Sequence, residues 1–299
     1  MLKPPHWSRF KAWFEAWFEA WFEAWFGAEF KAWLKPIRPQ HGRCALPDDI
    51  KTLQQGMLGG AHKQRRLWQC EFVALDLETS GLSSRQHHIV SSASVLILPK
   101  TNTPIAGLGA GDAFTQNITQ NFTQNITQNI TQNKADIAHD YQLSIQLGSA
   151  AQQLLQPLDD HSVGQSALIH GYHDRDLQQG IKRSDYLRAL LQRLQGRVLL
   201  CHNADIEVAF LQQAYVAQFG YRLPLLAIDT MRIEKQRLAH QPMLKYDDLT
   251  LSRCLARYQL PQSRSHDALS DAYSCALLWL AQSAGQLDTP LADWAKYYH

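Results

Sequence analysis

FVALDLETSGL, residues 72–82, is the stretch whose reading decides the fold. Phe72, Val73, Ala74 and Leu75 form a short apolar run, and Ser80-Gly81 closes it with a turn signal; this predicts a buried strand. Asp76 and Glu78 stand at its end. Side chains two apart on a strand share a face, so both carboxylates converge where core gives way to solvent. Carboxylates forced together repel unless a cation sits between them, and hard divalent cations take oxygen ligands of this kind. A bare Asp-x-Glu also fits a polar strand end, so the reading turns on whether other segments bring more acids.

Two segments do. Arg197–Cys201 reads as an apolar strand leading into His202-Asn203-Ala204 and a helix. On that helix Glu207, Phe210, Leu211 and Ala214 share one face at i, i+3, i+4 and i+7, which turns Glu207 inward. Asp205 falls on the other side with Gln212 and Gln213, as a solvated or capping acid. Near the C-terminus, SHDALSDAYSCALLWL (residues 265–280) predicts a helix capped by Ser265, with Asp271, Ser274, Cys275 and Leu278 on one face and His266 at its start. An unpaired acid on a core-facing stripe is costly. Asp76, Glu78, Glu207 and Asp271 thus come inward from three segments, and cations are the simplest way to reconcile them.

The rest of the chain supplies context. Its 299 residues suffice for one sizeable core with appendages, and a net charge of +2 neither selects nor excludes a nucleic-acid partner. The five cysteines show no metal-type spacing and read as reduced, buried thiols, which with the absence of a long aliphatic leader sets the expectation of a cytoplasmic protein without a transmembrane segment. Residues 1–36 repeat Trp-Phe-Glu-Ala through 13–24 and predict an aromatic helix ended by Pro36, fit to meet a protein or a membrane surface. Residues 37–68 read as a linker. Residues 101–133 carry five Thr-Gln-Asn copies, a low-complexity insert to which no fold is assigned. Further strands are expected at 89–98, 142–147 and 225–228, with Asp229 capping the helix that follows, a helix at 186–194 and a polar loop at 165–177. The main domain is expected over 69–285, and 286–299 as a tail.

Three of these segments together resemble the DEDDh exonucleases, the superfamily of the proofreading subunit of the bacterial replicative polymerase and of RNase T. Asp-Leu-Glu-Thr-Ser-Gly-Leu (76–82) resembles the first motif, His-Asn-Ala-Asp-Ile-Glu-Val-Ala-Phe-Leu (202–211) the second, and His-Asp-Ala-Leu-Ser-Asp-Ala (266–272) the third. Ile-His-Gly-Tyr (169–172) resembles a loop between the first two. The departure is Glu207, where most members carry aspartate. The resemblance implies an α/β, ribonuclease-H-like core with a mixed five-stranded sheet flanked by helices. It implies a 3′→5′ exonuclease acting on single-stranded or frayed 3′ ends, DNA favoured. Two divalent cations, Mg²⁺ or Mn²⁺, would be held by Asp76, Glu78, Glu207 and Asp271. His266 would be the general base. Thr79 and Leu82 would lie against the 3′-terminal nucleotide, with His202 lining the cleft. An RNA-directed member of the superfamily, and an exonuclease fold retained as a docking module, are the competing readings.

Overall fold

The computed structural model describes residues 47–57, 60–81, 83–100, 141–157, 166–241, 243–262 and 267–298. The aromatic repeat, the Thr-Gln-Asn insert, Cys44, Leu82, Ser265 and His266 lie outside them.

Among the described residues the centre is a mixed sheet of six strands, ordered β3-β2-β1-β4-β5-β6. They are β1 (Glu71–Thr79), β2 (Ile89–Pro99), β3 (Leu143–Leu154), β4 (Arg197–Cys201), β5 (Leu225–Asp229) and β6 (Ala295–Tyr298). β1, β4 and β5 run parallel; β2, β3 and β6 pair antiparallel. The described helices are α1 (Asp48–Gln55), α2 (Ala167–His170), α3 (Asp174–Leu177), α4 (Arg183–Leu194), α5 (Ala204–Phe219), α6 (Thr230–Arg237), α7 (Leu251–Arg257) and α8 (Ala268–Ser283). The expected polar loop at 165–177 contains the single-turn helices α2 and α3.

The alternation of β1 divides the core. Val73, Leu75 and Leu77 pack with α4 and α5, including Leu187, Leu191, Val208 and Leu211. Phe72 and Ala74 pack on the opposite face with Cys275, Ala276 and Trp279 of α8. The rings of Phe72 and Trp279 lie 5.5 Å apart, tilted by 58°, and both are fully buried. Burying each such side chain contributes about 1.5–3 kcal/mol. The pairing also fixes the phase of α8. With Trp279 over Phe72, positions one and two turns earlier, Cys275 and Asp271, track along β1 towards Ala74 and Asp76.

Three expectations are corrected. The sheet has six strands instead of five, because Ala295–Tyr298 adds to the β5 edge with Ile228 opposite Ala295 and Leu225 opposite Tyr298. Four residues with one alternation are too short a signal to read as a strand. Residues 286–298 are therefore not a tail: Leu291 is fully buried, Trp294 stacks edge-on to Trp279 at 5.3 Å, and Leu67 N donates to Thr289 O. Nor is the whole of 37–68 a linker, since Ile50 of α1 sits in the core and Asp49 accepts from Arg188 Nε at 2.7 Å. The segment at 142–147 is a strand as expected, and it continues to Leu154.

The ends of the low-complexity insert are set by a hairpin. Pro99 pairs with Leu143, and Lys100 N donates to Gln142 O at 2.7 Å, so the chain leaves and re-enters the sheet at adjacent positions. Replacing residues 102–140 with a two-residue Asn-Gly turn is expected to keep the Tm within a few degrees, because a tight turn closes this register and shortening a loop costs no closure entropy. A cooperative unfolding transition that disappears in the shortened protein would show the insert to be packed structure.

Candidate metal centre

The carboxyl ends of the three parallel strands bear the polar groups: Asp76 and Glu78 on β1, His202 and Asn203 after β4, and Asp229 on β5. In open α/β sheets that edge is where ligands bind. Asp76, Glu78 and Asp271 each place a carboxylate oxygen within 4.8 Å of the others. β1 supplies the first two by its two-residue period, and α8 delivers the third by the phase that Trp279 sets. Across from the acids β2 carries small residues: Ser91 lies opposite Glu78, Ala93 opposite Asp76. Larger side chains there would crowd α8 off the strand, so Ser91 and Ala93 are a part of the site that periodicity alone does not flag.

Glu207 approaches from the other layer, at the first turn of α5. It is 8% exposed, and its Oε2 is buried without a hydrogen-bond partner. Glu207 acts electrostatically on Asp76, and Glu78 acts on Glu207, so the four acids share one field. Burial first, then Glu207, Glu78, Asp271 and Asp267, raise the Asp76 carboxyl well above the ordinary range. Burial and the Asp271 and Asp267 charges push Glu78 up to about 8. Burial and the charges of Glu78 and Asp229 raise Glu207. Asp229, also raised chiefly by burial, caps α6 as expected: its Oδ1 accepts from Met231 N and Arg232 N at 2.9 and 3.2 Å. Divalent cations fit this donor set: hard oxygens, mutually repulsive, one of them buried without a partner.

The other predicted residues divide. Thr79 spends its hydroxyl on the turn, donating to Gly81 O at 2.7 Å. A side chain on Gly81 would strike the His87 ring, so the ring would have to move to admit one. His202 does not offer a free ring nitrogen to a cleft. Nε2–H donates to Leu249 O at 2.8 Å, which leaves Nδ1 to accept the Thr230 hydroxyl at 2.8 Å. Burial pushes its pKa down to about 4, consistent with a neutral, structural imidazole. Asp205 does not cap the helix; its side chain is 35% exposed, and its Oδ1 accepts from Lys296 Nζ at 2.9 Å and from Tyr298 Oη at 2.8 Å. Gln212 is buried and pairs both ways with the Leu223 backbone. The two-faced reading of α5 failed at these residues because β6 and the loop before β5 cover the side taken for solvent. Asp267, not Ser265, caps α8 in the described residues, accepting from Ser270 N at 3.1 Å. Gln152 bridges Asp267 and the Tyr172 hydroxyl at 3.4 and 2.8 Å, a rim the motif reading did not find. The expectation of buried, reduced thiols holds for Cys70, Cys201, Cys254 and Cys275.

The shifts fix a pH dependence. A carboxyl whose folded pKa is raised adds stability that is full below its unfolded value and lost as pH rises through the folded one. For Glu78 that window runs from 4.5 to about 8, and Asp76 and Glu207 shift in the same direction. The metal-stripped protein is therefore expected to lose Tm steadily across that window, and Mn²⁺ to restore most of it at the alkaline end. A flat Tm over the window in stripped protein would contradict the crowding of these acids.

No protein-family model matches the chain, and no curated protein matches it in sequence. Solved structures do match. Exonuclease I, in a structure said to suggest how processivity is achieved, is similar with a TM-score of 0.50 at 13% identity, over 75% of this chain and 43% of that one. Cell-death related nuclease 4 (CRN-4) gives 0.46 at 13% identity over 70% and 62%. Exonuclease X in complex with 5′ overhanging duplex DNA gives 0.42 at 17% identity over 75% and 98%. The chain thus spans less than half of the exonuclease I chain. The likeness to exonuclease I shows the fold alone: α/β and ribonuclease-H-like. Among the described residues no helix is long and apolar enough to cross a membrane.

Proposed function

We propose that this chain is a metal-dependent 3′→5′ exonuclease of the DEDDh type, cytoplasmic, hydrolysing phosphodiester bonds at single-stranded or frayed 3′ ends, with DNA as the favoured substrate. The observation that carries the reading is the meeting of Asp76, Glu78 and Asp271 within 4.8 Å, with Glu207 beside them. Such a set is hard to maintain without cations, and its cost to the metal-free fold makes sense at a working site. Asp76, Glu78, Asp271 and Glu207 would hold two Mg²⁺ or Mn²⁺ ions. Bound there, divalent cations supply charge stabilisation for the attacking and leaving oxygens of a phosphodiester displacement. His266, by the motif resemblance, accepts the proton of the attacking water, a task an imidazole can perform at neutral pH. By the motif resemblance Thr79 and Leu82 would lie against the 3′-terminal nucleotide, while His202 bonds to Thr230 and to Leu249 O.

The test is digestion of end-labelled DNA and RNA oligonucleotides side by side, with Mn²⁺, with Mg²⁺ and with chelator. Stepwise shortening from the 3′ end of DNA, abolished by chelator, is expected. Shortening of RNA alone moves the substrate class within the same chemistry. Metal binding with no cleavage of either polymer leaves the fold as a docking module and overturns the proposal.

A further inference from the structure

We infer that Asp205 is a positioning residue for the metal centre: tied to Lys296 and Tyr298, it clamps edge strand β6 to the first turn of α5 and so aims Glu207. The inference rests on the reading of Asp76, Glu78, Asp271 and Glu207 as cation ligands.

Glu207 needs an external support. Its Oε2 has no hydrogen-bond partner, so that oxygen is placed by the helix backbone. The start of that helix is not self-supporting. Asn203, the residue before it, lies in the left-handed region at φ 75° and makes no side-chain cap to the helix. Asparagine enters that region more readily than other non-glycine residues, and contacts from neighbouring elements hold it there. Three sets of contacts from outside the helix tie it down, one of them Asn203 Nδ2 donating to Tyr246 Oη at 3.4 Å. Asn203 N donates to Asp229 Oδ1 at 3.0 Å, which anchors the turn to the end of β5. Asp205, two residues before Glu207, accepts from Lys296 Nζ and Tyr298 Oη at 2.9 and 2.8 Å. β6 in turn pairs with β5, Ala295 opposite Ile228, one residue before Asp229. The contacts close a ring: α5 to β6 through Asp205, β6 to β5 through the sheet, β5 to the α5 turn through Asp229. Removing Asp205 opens the ring at the point nearest Glu207. The Lys296 pair is partly exposed and contributes little, which leaves the Tyr298 hydroxyl as the stronger tie, and Lys296 Nζ lies 4.5 Å from the centre of the Tyr298 ring.

Outer partners that orient ligands typically change metal affinity 10–100-fold when lost. The test is calorimetric titration of the full chain with Mn²⁺, well below the Tm of each variant. Asp205→Ala is expected to weaken Mn²⁺ binding about tenfold. Asp205→Asn, which still accepts from Tyr298, recovers most of the affinity, and Tyr298→Phe falls between. Arg197→Gln is the stability control: it removes the 2.8 Å contact to Glu71 at the far end of β4 and is expected to lower Tm while leaving Mn²⁺ affinity unchanged. Mn²⁺ affinity in Asp205→Ala equal to wild type overturns the inference, as does an equal loss in Arg197→Gln. If Asp205→Ala does not fold, Tyr298→Phe decides by the same readout, and wild-type Mn²⁺ affinity in it overturns the inference. A wild-type chain that binds no Mn²⁺ removes the ligand reading itself, an outcome distinct from the failure of the clamp.

Discussion

Asp76→Ala is expected to abolish Mn²⁺-dependent digestion of labelled oligonucleotides, with a loss of about 10³-fold or more. Asp76 is the acid on which the most other acids act: Glu207, Glu78, Asp271 and Asp267 all raise its pKa. A ligand to a cation that stabilises developing charge supplies several kcal/mol to the barrier, and each 1.36 kcal/mol is tenfold in rate. Asp271→Ala should behave alike, because its oxygen completes the same 4.8 Å cluster. The accompanying sign in stability separates this from simple unfolding. Asp76→Asn keeps the volume and removes a buried charge from a repulsive field, so the metal-free protein should gain Tm at neutral pH while losing activity. Wild-type turnover in Asp76→Ala on every substrate, measured over the full range of Mn²⁺, would remove the site from the chemistry.

The acids were legible in the sequence because each lies on a short element with a clear period. Asp76 and Glu78 follow an apolar run, and Asp271 shares a stripe with Cys275, where the structure places the α8 face that packs on β1. Glu207 was legible from Phe210 and Leu211 alone. What failed was the far side of the same helix. Asp205 and Gln212 look solvated when α5 is read in isolation, since a helix wheel records one buried face and not a second cover. That cover comes from β6, about 90 residues later, a four-residue strand with no local signature. The fold boundaries were misjudged for the same reason: Leu67 and Leu291 meet only in three dimensions, over a separation that no window of sequence contains. Asp267 shows a different limit. It stands beside His266 in the third motif, where the sequence reading gives it no role, yet its charge reaches Asp76, Glu78 and Tyr172 because a helix cap sits at the end of the helix that enters the site.

Glu207→Ala is expected to lose most activity even at saturating Mn²⁺, and this sets it apart from Asp205→Ala, whose defect should be overcome by more metal. The difference follows from their places. Glu207 is buried beside Asp76, with one oxygen unpaired, so its removal deletes a donor that concentration cannot replace. Asp205 touches β6 and acts only on where that donor stands. Glu207→Asp should retain substantial activity, because the motif it resembles carries aspartate there, and the shorter acid keeps charge and donor. The native glutamate is one methylene longer and must fold back to bring its oxygens to the same point. A less ideal approach is tolerated better by Mn²⁺ than by Mg²⁺, which dehydrates reluctantly and demands near-ideal octahedral geometry. The wild type should therefore prefer Mn²⁺, and Glu207→Asp should narrow the gap. The deciding measurement is turnover of the wild type, Glu207→Ala, Glu207→Asp and Asp205→Ala across a titration of each metal. Full turnover in Glu207→Ala beside a dead Asp205→Ala would mean that α5 presents the other acid to the centre.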